Sequence, residues 1–205
     1  MFKSFLFLKV LTLSLLPFYV QGQEQNQRVM AVTLEGGLGT NYLREITFDK
    51  GNYDLYNQIG LSQRVGFNLS YRIDNRWELA TGLNSIRQSI AYENQQGLAQ
   101  SGGLNSFSIP LTVNYYIPLS KVISFYAGLG FYYEFGEFRY HDLMGNGLNE
   151  QLSQLGALGS FGIAFTQLNK KGVFFIQGSP RIDLVSDDFK RNEFYLSLGY
   201  GFYLF

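Results

Sequence analysis

The chain has one histidine, His141, followed by Asp142, and no cysteine. An imidazole beside a carboxylate can act as a general base, and with a serine it can activate a nucleophile. No serine or second acid stands at a compact spacing around His141, so the pair reads as a solvated segment. Asp187, Asp188 and Glu193 place three carboxylates close together. Calcium takes roughly six to eight oxygen ligands, so these are a weak donor set and read as a loop in water. The absence of cysteine excludes a thiolate metal site, a Cys nucleophile and a disulfide scaffold. Gly36-Gly37-Leu38-Gly39 is not followed by a helical pattern and is no phosphate loop. These readings give no catalytic residue, no metal ligand and no cofactor, and a non-enzymatic protein is expected.

Two other groups of residues remain. Glu35, Arg64, Arg72, Glu78, Glu134, Arg181 and Asp183 are isolated charges inside otherwise apolar or small-residue stretches. They could line a charged gate or lock together as an interior salt-bridge network. The second group is Arg44, Phe48, Tyr53 and Tyr56 with Phe138, Arg139, Tyr140 and His141, where aromatics stand beside charges. Aromatic and Arg side chains are the usual anchors of recognition surfaces.

The elements that hold these residues have period two. Phe107, Ile109, Leu111, Val113, Tyr115 and Ile117 alternate with Ser106, Ser108, Pro110, Thr112, Asn114 and Tyr116. Ile59 to Ile73, Ile123 to Phe135 and Phe194 to Leu204 behave alike, and this is the strand rhythm. Eight strands are expected at about 30–42, 59–73, 77–92, 105–117, 122–137, 154–167, 172–185 and 193–205. The third loses its phase after Asn84. The connections alternate: 43–58, 93–104, 138–153 and 186–192 are long, whereas Asp74-Asn75-Arg76, Pro118-Leu119-Ser120 and 168–171 are short. Long loops therefore gather at one end and tight turns, with both termini, at the other, as in bacterial outer-membrane barrels.

Alternation alone does not say whether the apolar face points inward or outward. Strand length, aromatics near both strand ends, and a Gly- and Ser-rich polar face all place the apolar side outward, against lipid. Tyr71, Trp77, Tyr115, Phe125 and Phe202 mark the turn end, and Tyr42, Phe107, Tyr133 and Phe135 the loop end. In hydrocarbon each backbone polar group must be paired, so such a sheet closes on itself. Eight strands enclose a space that side chains fill, which favours the salt-bridge network over a channel.

Composition agrees. Phe 19, Tyr 15 and Gly 23 are high counts, and 46% hydrophobic residues exclude a disordered chain. Lys+Arg and Asp+Glu are 16 each, so no positive excess supports nucleic-acid binding. Lys3 and Lys9, the apolar run Val10 to Val20, and Val20 with Gly22 before polar Gln23-Glu24-Gln25-Asn26 read as a signal peptide over 1–22. The run is too short for a spanning helix, which needs about 20 apolar residues. Residues 23–205 form the barrel domain.

The whole pattern resembles the small outer-membrane β-barrel proteins of the OmpA/OmpX type. More narrowly, Ser108-Ile109-Pro110-Leu111 leading through Asn114-Tyr115-Tyr116 into Phe125-Tyr126-Ala127-Gly128-Leu129-Gly130 is similar to the PorT-like outer-membrane barrel domain family. The resemblance implies that a terminal aromatic, Phe202 or Phe205, is read by the barrel-insertion machinery. The expectation is an all-β, eight-stranded, antiparallel up-and-down transmembrane barrel in the outer membrane of a Gram-negative bacterium. Its lumen is filled, and its role is structural or loop-mediated binding at the cell surface. Its partners are outer-membrane lipid and a protein or envelope polymer met by the outer loops. An outer-leaflet lipid-modifying enzyme, a small transporter or a secretion-apparatus component is the alternative.

Overall fold

The computed structural model describes residues 30–46, 58–74, 76–93, 99–141, 147–166, 172–186 and 189–204. The expected signal peptide, 1–22, lies outside them. Eight strands follow one another: β1 (Met30–Ile46), β2 (Gln58–Arg72), β3 (Trp77–Glu93), β4 (Ala99–Pro118), β5 (Ile123–His141), β6 (Gly147–Thr166), β7 (Gly172–Ser186) and β8 (Phe189–Tyr203). Each pairs antiparallel with its sequence neighbour, and β1 pairs with β8, so the sheet is a closed up-and-down barrel. Closure leaves no strand edge exposed.

The short turns set the register. Asp74 Oδ1 accepts hydrogen bonds from the backbone N–H of Arg76 and Trp77, both at 2.7 Å. These bonds hold the Asp74 carboxyl below the usual carboxylate range. The turn places Arg72 opposite Glu78, Tyr71 opposite Leu79 and Asn68 opposite Gly82, as the alternation requires. In the next turn Ser120 Oγ accepts from the N–H of Val122 and Ile123.

The apolar face points outward. Leu38, Leu61, Val65, Leu129 and Phe131 are all more than half exposed, with Leu129 at 77%. Burying such a belt is worth about 25 cal/mol per Å² of apolar surface, and a lipid bilayer is the medium that covers it on every side. Aromatic pairs flank it: Trp77 and Tyr115 at the turn end, 4.8 Å between centroids, and Phe107 and Phe135 at the loop end, 6.0 Å apart.

Several strands are longer than their hydrophobic pattern. β4 starts at Ala99, β5 runs to His141, β6 starts at Gly147 and β8 at Phe189. The alternation fades there because the strands have risen above the lipid belt, where the outward face turns polar while the hydrogen-bond ladder continues. β3 shows the change. Ile86 and Gln88 stay buried and Arg87 and Ser89 exposed, so the phase is kept and only the polarity of the outward side changes. Cross-strand register lines up Gln63, Arg87, Asn105, Glu137 and Gln151 as one outward row over five strands. That row is polar on its outward side, next to the apolar Phe107–Phe135 pair one row nearer the turn end.

Candidate functional site

The inward side chains divide the lumen into two halves. In the loop-end half, β5 supplies Glu134 and Tyr132, β7 supplies Arg181 and Asp183, and β8 supplies Arg191, Glu193 and Tyr195. All seven are buried, with Arg191, Glu134 and Tyr195 among the largest fully enclosed side chains. Glu134 accepts from Arg181 Nη2 at 2.9 Å, from Arg191 Nη2 at 3.0 Å and from Ser106 Oγ at 2.6 Å. Asp183 Oδ2 accepts from the Arg191 backbone N–H at 2.8 Å and from its Nε at 3.3 Å. Glu193 lies 3.3 Å from both Arg181 Nη1 and Arg191 Nη1.

Three carboxylates thus share two guanidinium groups. Neutral donors serve the surplus negative charge: Tyr132 and Gln154 donate to Asp183, and Gln88 donates to Glu193. The Arg181 guanidinium also lies 3.7 Å from the Tyr132 ring centroid, within cation–π range. Taking charges out of water costs several kcal/mol each, by order of magnitude, and is repaid only when nearly every lone pair and N–H finds a partner. This cluster meets that condition in part: Arg181 Nε, Glu193 Oε2 and Gln154 Oε1 are buried without a hydrogen-bond partner among the described residues.

Two backbone features make room for it. A β-bulge in β7 pairs Leu155 with Val185 but Gly156 with Asp183, so both Leu184 and Val185 lie on the exposed side while Asp183 faces inward. Gly156 stands opposite Tyr132 on β5. A Cβ at position 156 would run into the Tyr132 ring, so the glycine is what lets the phenol lie flat toward Asp183.

The turn-end half is looser. It holds two separate ion pairs, Arg64 with Glu35 at 3.3 Å and Arg72 with Glu78 at 3.8 Å. Tyr116 and Tyr126 stack at 5.1 Å, and Arg72 lies 4.7 Å from the Tyr116 centroid. A cavity of about 90 Å³ remains here, lined by Glu35, Arg72, Glu78, Tyr116, Phe175 and Tyr203 among others. Its walls mix polar and apolar side chains, and its size admits several waters beside the charged groups.

All seven charges expected in the lumen lie on its inner wall, and Glu35–Arg64, Arg72–Glu78 and Arg181–Glu134 form pairs. Pattern reading missed Arg191 and Glu193. Glu193 reads from the sequence as a weak rim calcium donor, but β8 extends back to Phe189 and the strand's phase turns Glu193 inward, 4% exposed, onto two arginines. Asp187 and Asp188 lie outside the described residues. The missed signal was the phase of β8: Tyr195, Ser197 and Gly199 face inward, and stepping back by twos reaches Glu193 and Arg191.

The expected recognition residues separate. Phe138 belongs to β5 and is buried in the lumen at 1% exposure, which corrects its placement in an outer loop. The strand continues past the aromatic girdle and keeps its alternation, so Phe138 turns inward and Arg139 outward. Arg139 is exposed and lies 3.3 Å from Glu137. Arg44 belongs to β1, and Tyr140 and His141 to β5, rather than to loops. Phe48, Tyr53 and Tyr56 lie outside the described residues, as does Phe205, whereas Phe202 faces outward on β8.

A closed eight-stranded antiparallel barrel with a lipid-facing belt is the architecture of integral outer-membrane β-barrel proteins. No family model and no curated protein matches the chain. Solved structures do. Neisserial surface protein A matches with a TM-score of 0.56 and 14% identity, over 88% of this chain and 100% of that one. The N-terminal β-barrel domain of Pseudomonas aeruginosa OprF matches with a TM-score of 0.52 and 15% identity, over 88% of this chain and 98% of that one. At these identities the likeness is one of fold, and the fold is the OmpA/OmpX type.

Proposed function

We propose that this protein is a closed outer-membrane barrel that moves no solute through its lumen and acts through its outer end, as a structural or recognition element of the cell surface. The observation that supports this is the buried cluster of Glu134, Asp183, Arg181, Arg191 and Glu193. A transport path would have to break it and leave charges unpaired away from water, which is costly. The barrel wall is occupied by lipid and the turn end offers only short connections, so the loop end is the surface left for a partner. Its chemistry, aromatics beside Arg44 and Lys50 in 44–56 and an exposed Arg139, suits a protein or an envelope polymer.

The test is affinity capture from intact outer membrane. The full chain is compared with one in which 47–57 and 142–146 are replaced by short Gly/Ser turns. The replaced chain should keep its shift in gel mobility on boiling, which reports a closed barrel, and lose the partners captured by the wild type. The same partners captured by both chains would place the activity elsewhere on the barrel.

A further inference from the structure

The lipid belt is not equally tall all round the barrel. Residues paired across the strands do not lie level with the membrane, because tilted strands make each row climb. The row that leaves Val32 on β1 passes Thr81, Phe131 and Ile182 and returns to β1 at Tyr42, ten residues nearer the loop end. Over eight strands this offsets each strand from the one before it by about 1.25 residues.

With that offset the belt has a flat lower edge and a sloping upper one. At the turn end Met30, Ile73, Trp77, Ile117 and Phe165 fall within about two residues of one plane. At the loop end the continuous apolar face of β1, β2 and β3 stops at Leu38, Val65 and Leu83. Thr40, Gln63, Ser85 and Arg87 follow it outward, and Tyr42 and Leu61 stand singly above them. On β4 to β7 the apolar face runs on to Phe107, Phe135, Leu155 and Leu184. Arg87 is therefore level, within about one residue, with Phe107, Phe135 and Leu155. At about 3.3 Å per residue and a strand tilt of about 40°, Trp77 to Leu83 spans about 15 Å of membrane and Ile123 to Phe135 about 30 Å.

A bilayer of one thickness does not fit this wedge. Matched to β5, it would put Ser85 and Arg87 in hydrocarbon, where a cation is costly. Tilting the barrel to level its upper edge would draw the turn of Asp74 and Arg76 into the lipid, because the lower edge is already flat. The short wall is confined to neighbouring strands, so the misfit is local, and a bilayer meets a short span by thinning. We propose that the wall of β1 to β3 thins the bilayer beside it, pulling the leaflet on the loop side down toward Leu83. The partner this surface fits is a lipid surface of reduced thickness, with short or loosely packed acyl chains. Neither the loops nor the lumen takes part. Such a strip is a lower barrier to any molecule that enters the membrane beside it.

The chain has no cysteine, so single cysteine variants carry a spin label at one chosen place. Full-length S85C, L155C and R76C are labelled and folded into dioleoylphosphatidylcholine vesicles, and each is checked for its shift in gel mobility on boiling. Collisions are measured with oxygen, which partitions into lipid, and with a water-soluble nickel chelate. The label of S85C should meet the chelate several-fold more often than that of L155C, although Leu155 stands slightly further from the turn end. The label of R76C should stay in water. Replacing the polar residues beside Ser85 with leucine, in Q63L/R87L, should bring the S85C label to the value of L155C. Equal collision rates at S85C and L155C would overturn the proposal. So would an S85C label shielded from both reagents, the mark of a protein covering the wall, or an R76C label in lipid, the mark of a tilted barrel. An S85C label unchanged in folded Q63L/R87L would overturn it as well. Loss of the mobility shift in the wild type would instead refute the barrel itself.

Discussion

The two halves of the lumen use the same residue types and reach different ends. The loop-end half concentrates five charges into one dry cluster in which each arginine serves more than one carboxylate. The turn-end half keeps its four charges as two separate pairs beside a cavity of about 90 Å³. Burial accounts for part of the contrast. Arg191 and Glu134 have side chains at 0% exposure, whereas Arg72 is 28% exposed and can still be hydrated, so its pair with Glu78 needs no wider network. The Arg64–Glu35 pair is nearly as enclosed as the cluster, and there the hydroxyls of Ser179 and Ser197 accept from the guanidinium in place of further carboxylates. On the proposed reading the first half seals the barrel and the second lines its base.

The largest test of that contrast removes a shared partner. Arg191→Ala leaves Glu134, Asp183 and Glu193 with one guanidinium among them, and should lower stability by about 3–5 kcal/mol. Urea unfolding in lipid vesicles, followed by the folded and unfolded gel bands, measures it. A loss no greater than that of an exposed ion pair would erase the distinction between the halves.

Packing around the cluster should matter next. Gly156→Val drives a side chain into the Tyr132 ring and should cost about 1–3 kcal/mol. Gly36→Val, on the outward side of β1 with open space around it, is the matched control and should cost far less in the same assay. In the turn-end half, Arg72→Gln should cost about 1 kcal/mol or less, since that pair is long and partly hydrated. A cost equal to that of Arg191→Ala would show the two regions to be one network.

The smallest effect lies outside the lumen, at Asp74. Its carboxyl titrates lower in the folded chain because two backbone N–H groups donate to it. Its contribution is therefore complete above the unfolded-state pKa and is lost as pH falls through the folded one. Asp74→Asn keeps an acceptor oxygen but no titration, so the acid side of its stability profile should be slightly flatter than the wild type's. An unchanged profile would assign the acid sensitivity to other groups.

The barrel was legible in the sequence because one face of each strand meets hydrocarbon, which imposes strict alternation on residues such as Phe107 to Ile117 and Phe194 to Leu204. The same reasoning failed where that constraint ends. Above the belt Arg87, Asn105 and Glu137 face water, polarity no longer distinguishes the two sides, and the ends of β4, β5 and β6 were placed too near the membrane. Phe138 was misplaced for that reason, Arg191 was missed because its strand was started too late, and Glu193, at the first position of the expected strand, was read with the neighbouring loop carboxylates. The charges of the lumen were legible as a set, since isolated charges on a small-residue face have little alternative to pairing. Their partition into one cluster and two pairs was not, because it depends on contacts across the barrel, such as Arg191 with Glu134, that no local pattern encodes.

The central claim is that the loop-end cluster closes the lumen. Single-protein conductance in a planar bilayer addresses it most directly, with wild-type chain shown to be folded by its mobility shift on boiling. The account predicts no steady conductance above the bare bilayer for the wild type. A reproducible, large, steady conductance from single wild-type barrels would contradict it.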